Sequence, residues 1–260
     1  MISNEAVKEK LQQQQFDRNK SSFAVITGGG YGIGRATSLL LAADGWRVAI
    51  LDTDIERAKE TEQAICSQNG LAYSYRVDVT DSASIDSAIR SIADQGIPIR
   101  ALVNCAAMRY TGTVLEISEA QWDRTIDVVL KGSFLCCKAI VPYLQSAGGG
   151  SIVNISSPDA AGRRGMLAYS AAKAAVETMT MSLAADHISD HIRVNAVVPG
   201  FTYTGMTEQY PPERLEAVRL NSVAGRLCEP EDVARLIRFL VSSDGETFTG
   251  GLFGGIPPVR

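Results

Sequence analysis

Histidine is nearly absent from this sequence, and with it the usual material of a metal site. The 260 residues include only His187 and His191. Both stand near the end of a helical stretch without ligand partners close in sequence, so they read as solvent-facing side chains and no metal is expected. Cysteine is sparse as well. Cys66, Cys105, Cys136, Cys137 and Cys228 are odd in number and form no C-x-x-C pair, which argues against a disulfide framework or a zinc site and points to a reducing, cytoplasmic setting. No apolar run reaches the length of a membrane span. The opening "MISNEAVKEKLQQQQFDRNK" has no apolar core of the secretory type, and residues 1–21 are expected to form a polar extension. A basic excess is missing too: the formal charge is −4, and without a dense Lys/Arg run nucleic acid is a poor partner.

What is present is an ordinary globular composition, 45% hydrophobic and 21% charged, with 23 glycines. From Phe23 onward, short β-rich runs alternate with longer helical patterns. Strands are expected at 23–27, 46–51, 71–77, 100–104, 151–156 and 191–197, with a last one near 248–254. Helices are expected near 33–44, 54–68, 82–95, 119–146, 167–187 and 229–241. Several strand runs are almost wholly apolar, as they must be where helices cover both faces of a sheet. The pattern predicts one α/β domain over 22–260, a doubly wound parallel sheet of about seven strands flanked by helices. The stretch 199–226 breaks the rhythm with Thr, Pro and charge, and it reads as a substrate loop.

Chemistry-bearing residues fall at the carboxyl ends of these strands, where open α/β sheets bind ligands. "TGGGYGIG" places Gly28, Gly32 and Gly34 between the first strand and first helix, a Rossmann-type turn whose backbone N–H groups can approach a pyrophosphate. Asp52 ends the second strand, about 20 residues further on, where a carboxylate accepts hydrogen bonds from a ribose diol and repels a 2′-phosphate. A methyltransferase using S-adenosylmethionine shows the same pair of features. Asp78 follows the third strand, where it can reach an adenine edge; Asn104 ends the fourth, and Ser156 and Ser157 end the fifth. Taken singly, each is also compatible with a strand-end cap. Within "LAYSAAKAAV", Tyr169 and Lys173 lie at i, i+4 and leave the same helical face. A phenol beside an ammonium has its ionised form stabilised, so the pair is either an acid/base device or an amphipathic pair at the rim of a core.

In combination these motifs resemble the short-chain dehydrogenase/reductase family over nearly all of residues 22–255. The resemblance rests on "TGGGYGIG", Asp78-Val79, "NCAA", "SIVNISS", Y-x-x-x-K and "RVNAVVPGFTYTGM". It implies hydride transfer between NAD and a secondary alcohol or ketone, with Tyr169 as general acid/base and Ser157 holding the substrate oxygen. Lys173 would bind the nicotinamide ribose and lower the tyrosine pKa. Cofactor contacts are implied for Gly28, Tyr31, Gly32, Ile33 and Gly34 in the first turn, and for Asp52, Asp78 and Val79. Asn104 and Ala106 of "NCAA" are implied as well, with Pro199, Thr202 and Thr204 after the sixth strand. Tyr169 and Lys173 complete the set. Family members often form tetramers through helices matching 119–146 and 167–187, so a homotetramer or homodimer is expected.

Four positions depart from the family pattern. Ala107 replaces a glycine beside the cofactor. Val129 replaces an asparagine assigned to a proton relay. Ser157 precedes Tyr169 by one residue fewer than usual, which leaves Ser156 open. "LFGG" at 252–255 replaces the usual V-D-G-G. Val129 motivates the alternative of a catalytically impaired nucleotide-binding or regulatory protein. The substrate cleft is matched by Arg109, Tyr110, Arg163, Arg164 and Met166, then by Tyr203, Met206 and Tyr210. The three arginines can meet an acidic substrate or be solvated surface charges.

Overall fold

The apolar runs become strands because each buries both faces. In the computed structural model, which describes residues 21–205, 207 and 210–254, β1 (Phe23–Thr27) is buried at every position. Alternate residues diverge: Phe23 and Val25 pack into one core layer, and Ala24 and Ile26 into the other. The same split separates Leu102 from Val103 in β4 (Ile99–Asn104) and Ile152 from Val153 in β5 (Gly150–Ile155). A half-polar alternation would leave one face wet, so near-continuous Val, Ile and Leu is what a covered parallel sheet requires.

Seven strands form one sheet in the order β3-β2-β1-β4-β5-β6-β7, all parallel. The remaining strands are β2 (Arg47–Asp52), β3 (Leu71–Arg76), β6 (Ile192–Val198) and β7 (Leu252–Gly254). The order reverses between β1 and β4, and the crevice beyond their carboxyl ends is the topological switch point. Helices α1 (Gly32–Ala43), α2 (Ile55–Cys66) and α8 (Pro230–Val241) bury Leu41, Ile65 and Ile237 on one face. On the other, α3 (Ser82–Ala93), α5 (Gly132–Ser146) and α6 (Leu167–Asp186) bury Ile89, Ile140 and Ala184. Local capping agrees with this layout. Asp54 and Asp81 accept N–H bonds from Arg57 and Ala83 at the starts of α2 and α3. Among the described residues no helix is long and apolar enough to cross a membrane.

Three expectations need correction. The helix expected over 119–146 is divided into α4 (Glu119–Ile126), a π-helical turn at Asp127–Lys131, and α5. Next to this turn the Ser133 hydroxyl donates to the Val129 carbonyl at 2.8 Å, and such a widened turn inside a helix is a π-bulge. The strand expected over 248–254 shrinks to β7, because Gly250 takes φ +73°, outside the strand region. The stretch after β6 is not only loop: Pro212 opens a helix, α7 (Pro212–Leu220), at the position where a missing N–H costs nothing. The extension expected over 1–21 lies, except for Ser21, outside the described residues, as do Met206 and the last glycine of "LFGG".

Candidate active site

The first turn is tight because its glycines allow it. Gly28 has φ +63°, and a Cβ there would come to 3.0 Å from the backbone of Ala106. At Gly34 a Cβ would stand 2.1 Å from the Gly28 carbonyl oxygen. Thr27 Oγ1 accepts from the N–H groups of Cys105 and Ala106, each at 3.1 Å, and locks this turn to the end of β4. A cleft of about 1490 Å3 opens beyond the strand ends. Gly28, Tyr31, Gly32, Ile33 and Gly34 line one wall. Such a cradle, with bare backbone facing a cleft at a helix N-terminus, fits a dinucleotide pyrophosphate.

Further along the cleft, Asp52 accepts N–H bonds from Gly30 and Asp54, both at 3.0 Å. Two bonds leave part of the carboxylate's acceptor capacity for a ligand. Tyr31 is partly exposed, with the Arg57 guanidinium over its ring at 4.8 Å. Asp78 accepts from the Thr80 N–H and hydroxyl and pairs with Arg124 at 3.3 Å. Burial raises its carboxyl, but the Thr80 bonds and Arg124 outweigh that and hold it below the usual range. Val79, Ala106, Pro199, Thr202 and Thr204 also line the cleft.

Asn104 does not line it. In register with Asn154 across β4 and β5, it turns inward and donates to Asn154 Oδ1 at 2.8 Å and to Cys137 Sγ at 3.4 Å. Asn154 in turn donates to Thr180 on α6 at 2.9 Å. The side chain of Asn104, a residue expected among the cofactor contacts, is thus engaged in a buried network that ties two central strands to α6. Side-chain parity at a strand end decides this, and composition does not record it.

Tyr169, Lys173 and Ser157 meet at the floor of the cleft, and all are buried. Tyr169 and Lys173 share one face of α6, with Lys173 Nζ 5.6 Å from the Tyr169 ring centre. The ammonium donates to the Ile155 carbonyl at 2.6 Å. Ser157 lies beside the Tyr169 phenol, where it favours the ionised form, and accepts from the Asp159 N–H at 3.2 Å. Ser156 points elsewhere, donating to Glu177 Oε1 at 2.6 Å. Of the two serines left open by spacing, Ser157 is the one at the phenol.

The electrostatics run against the simple expectation for the pair. Burial pushes the Tyr169 phenol up to about 12; Ser157 opposes it, Asp159 adds to it and Arg109 opposes it. Burial also pushes Lys173 down to about 8, with Cys105 opposing. In the protein by itself, desolvation outweighs any stabilisation of phenolate by the ammonium, so the expected lowering of Tyr169 is absent.

At the far end, Arg109, Arg163, Arg164 and Tyr210 line the cleft, whereas Tyr110, Met166 and Tyr203 do not. Sequence reasoning missed Asp159, which is buried and paired with Arg163 at 3.1 Å. A signal was present in "SSPD", where Ser157 caps a short 3-10 turn opened by Pro158. It also missed Glu177 and the Asn154–Thr180 link, which have no local signature.

The family model for short chain dehydrogenase matches residues 22–215. The chain belongs to that family. It is 35% identical over 227 residues to the (2S)-[(R)-hydroxy(phenyl)methyl]succinyl-CoA dehydrogenase subunit of Thauera aromatica, spanning 87% of this chain and 92% of that one. A 3-oxoacyl-[acyl-carrier-protein] reductase of Thermotoga maritima is 35% identical over 238 residues, 91% of this chain and 97% of that one. Among solved structures, a candidate gluconate dehydrogenase from Agrobacterium tumefaciens superposes with a TM-score of 0.87 at 29% identity, covering 91% of this chain and 94% of that one. This short chain dehydrogenase is accordingly an oxidoreductase of a nicotinamide-using family, and its sheet and helix layers are the family's fold.

Proposed function

We propose that the protein is an NAD(H)-dependent oxidoreductase that interconverts a secondary alcohol and a ketone, with Tyr169 as general acid/base. One observation carries the reading: buried Tyr169, Ser157 and Lys173 open into the same cleft as the Gly28–Gly34 turn. The glycine turn would hold the pyrophosphate, Asp52 a ribose diol, and Lys173 the second ribose. A bound nicotinamide supplies the hydride donor or acceptor, which no side chain can do. In reduction, the Tyr169 phenol gives its proton to the carbonyl oxygen as negative charge develops there. The Ser157 hydroxyl, which lies beside the phenol, holds the same oxygen. In oxidation the phenolate takes the alcohol proton, and this direction needs the pKa of about 12 brought down. Binding a positive charge beside the ring is the physical means.

Asp52 supports NAD over NADP: it lines the cleft at the end of β2, and a carboxylate there would repel a 2′-phosphate. Apolar Phe134 on α5, with Leu167 and Met181 on α6, is exposed and supports assembly as a homotetramer or homodimer through those helices. Nucleotide binding without turnover is favoured only by Val129. A screen of alcohols and carbonyl compounds that follows NADH and NADPH absorbance tests the reading. Tight NADH binding with no turnover anywhere in the panel would favour the alternative.

A further inference from the structure

Beyond Tyr169 the cleft becomes strongly cationic. Arg109 enters after β4, Arg163 and Arg164 precede α6, and Arg214 comes from α7; all four line this end. Among the described lining residues one carboxylate, Asp159, lies with them, and Arg163 pairs with it. The ring of Tyr210 draws two guanidinium groups at once, Arg214 at 3.8 Å and Arg109 at 5.5 Å. Like charges gathered around one ring raise the local positive potential, which favours an anion entering the cleft there.

The dinucleotide does not account for this charge. In the other half of the cleft Arg124 pairs with Asp78 and Arg57 with Asp54, and Asp52 also lines it. The cationic end is also continuous with the reacting centre, because Arg109 is close enough to favour the Tyr169 phenolate. Arginine suits a carboxylate or phosphate oxygen pair better than a point charge would.

We infer that the substrate carries an anionic group, a carboxylate or a phosphate ester, received by Arg109, Arg164 and Arg214 while its carbonyl or hydroxyl lies at Tyr169. This rests on the proposed oxidoreductase reading. The test compares matched pairs as substrates with NADH: 3-oxobutanoate and 5-oxohexanoate against their methyl esters, and dihydroxyacetone phosphate against dihydroxyacetone. Each anion should exceed its neutral partner at least tenfold in kcat/KM at low salt. Arg164→Gln and Arg214→Gln should each cut that ratio severalfold, while Arg90→Gln on α3 leaves it unchanged. The carboxylate and phosphate arms separate the two anion sources. Neutral partners turned over as well as the anions, or a ratio that survives both variants, would overturn the inference while leaving the oxidoreductase reading intact. Thermal denaturation of the NAD-bound protein with the same pairs supplies a second readout. If nothing turns over but the anions alone raise Tm, the inference stands and the catalytic reading falls. If the anions neither turn over faster nor raise Tm more, the inference is wrong.

Discussion

Val129 offers a quantitative test of how packing constrains this site. Its side chain is 1% exposed and clusters with Tyr169, Ala172 and Val176, with Ala107, Ile126 and Leu130 against them. Its carbonyl already accepts from Ser133. Val129→Asn is nearly isosteric but places an amide among apolar neighbours. Leaving that amide unsatisfied costs about 1–3 kcal/mol, and losing the valine's burial costs about 1.5 kcal/mol more. A destabilisation of about 3 kcal/mol corresponds to a fall in Tm of about 6–12 °C for a domain of this size. Turnover should change less than threefold, because Tyr169, Ser157 and Lys173 keep their places. Thermal melts and steady-state kinetics on the same preparation decide the matter. A variant as stable as the parent and tenfold faster, about 1.4 kcal/mol in barrier, would refute the reasoning. It would mean that an amide at this position finds partners and restores a proton path that valine interrupts.

Tyr169→Phe should abolish nearly all turnover while NADH affinity, followed by fluorescence titration, stays within a few-fold; substantial residual kcat would remove Tyr169 from its role. Ser157→Ala should lower kcat far more than Ser156→Ala, since Ser157 stands beside the phenol while Ser156 is held by Glu177; the reverse order in steady-state assays would exchange their parts. kcat/KM should be higher with NADH than with NADPH, and the opposite preference would mean that Asp52 does not face the ribose. Lys173 also predicts a pH effect. Its folded pKa of about 8 lies below the ordinary 10.5, so between these values the unfolded chain binds more protons and folding stability rises with pH. Relative to Lys173→Met, the parent should gain about 3 kcal/mol between pH 7 and pH 11, measured by denaturant unfolding of both proteins at each pH. A constant difference would show that Lys173 is not desolvated.

Much of this molecule was legible along the chain because its determinants are local. Runs such as "FAVIT" and "SIVNI" are apolar at both parities, which dictates strands covered on both faces. The glycines of "TGGGYGIG" encode a turn that side chains would block, and the i, i+4 spacing puts Tyr169 and Lys173 on one helical face whatever surrounds them. The π-helical turn at Asp127–Lys131 was not legible, because the residues from Glu119 to Ser146 suit an unbroken helix. Nor could spacing choose between Ser156 and Ser157; they differ because Glu177, distant in sequence, holds the Ser156 hydroxyl while Ser157 lies beside the phenol. Asn104 was placed by the strand beside it, through the register that sets it opposite Asn154. Periodicity and backbone sterics dictate the sheet, the glycine turn and the residue types at its mouth, so these could be read along the chain. Tertiary structure alone decided which polar groups face the cleft, and that burial, rather than a neighbouring ammonium, governs Tyr169 in the protein by itself. Hydrogen-bond partners and desolvation depend on what lies across the fold, and no local pattern encodes that.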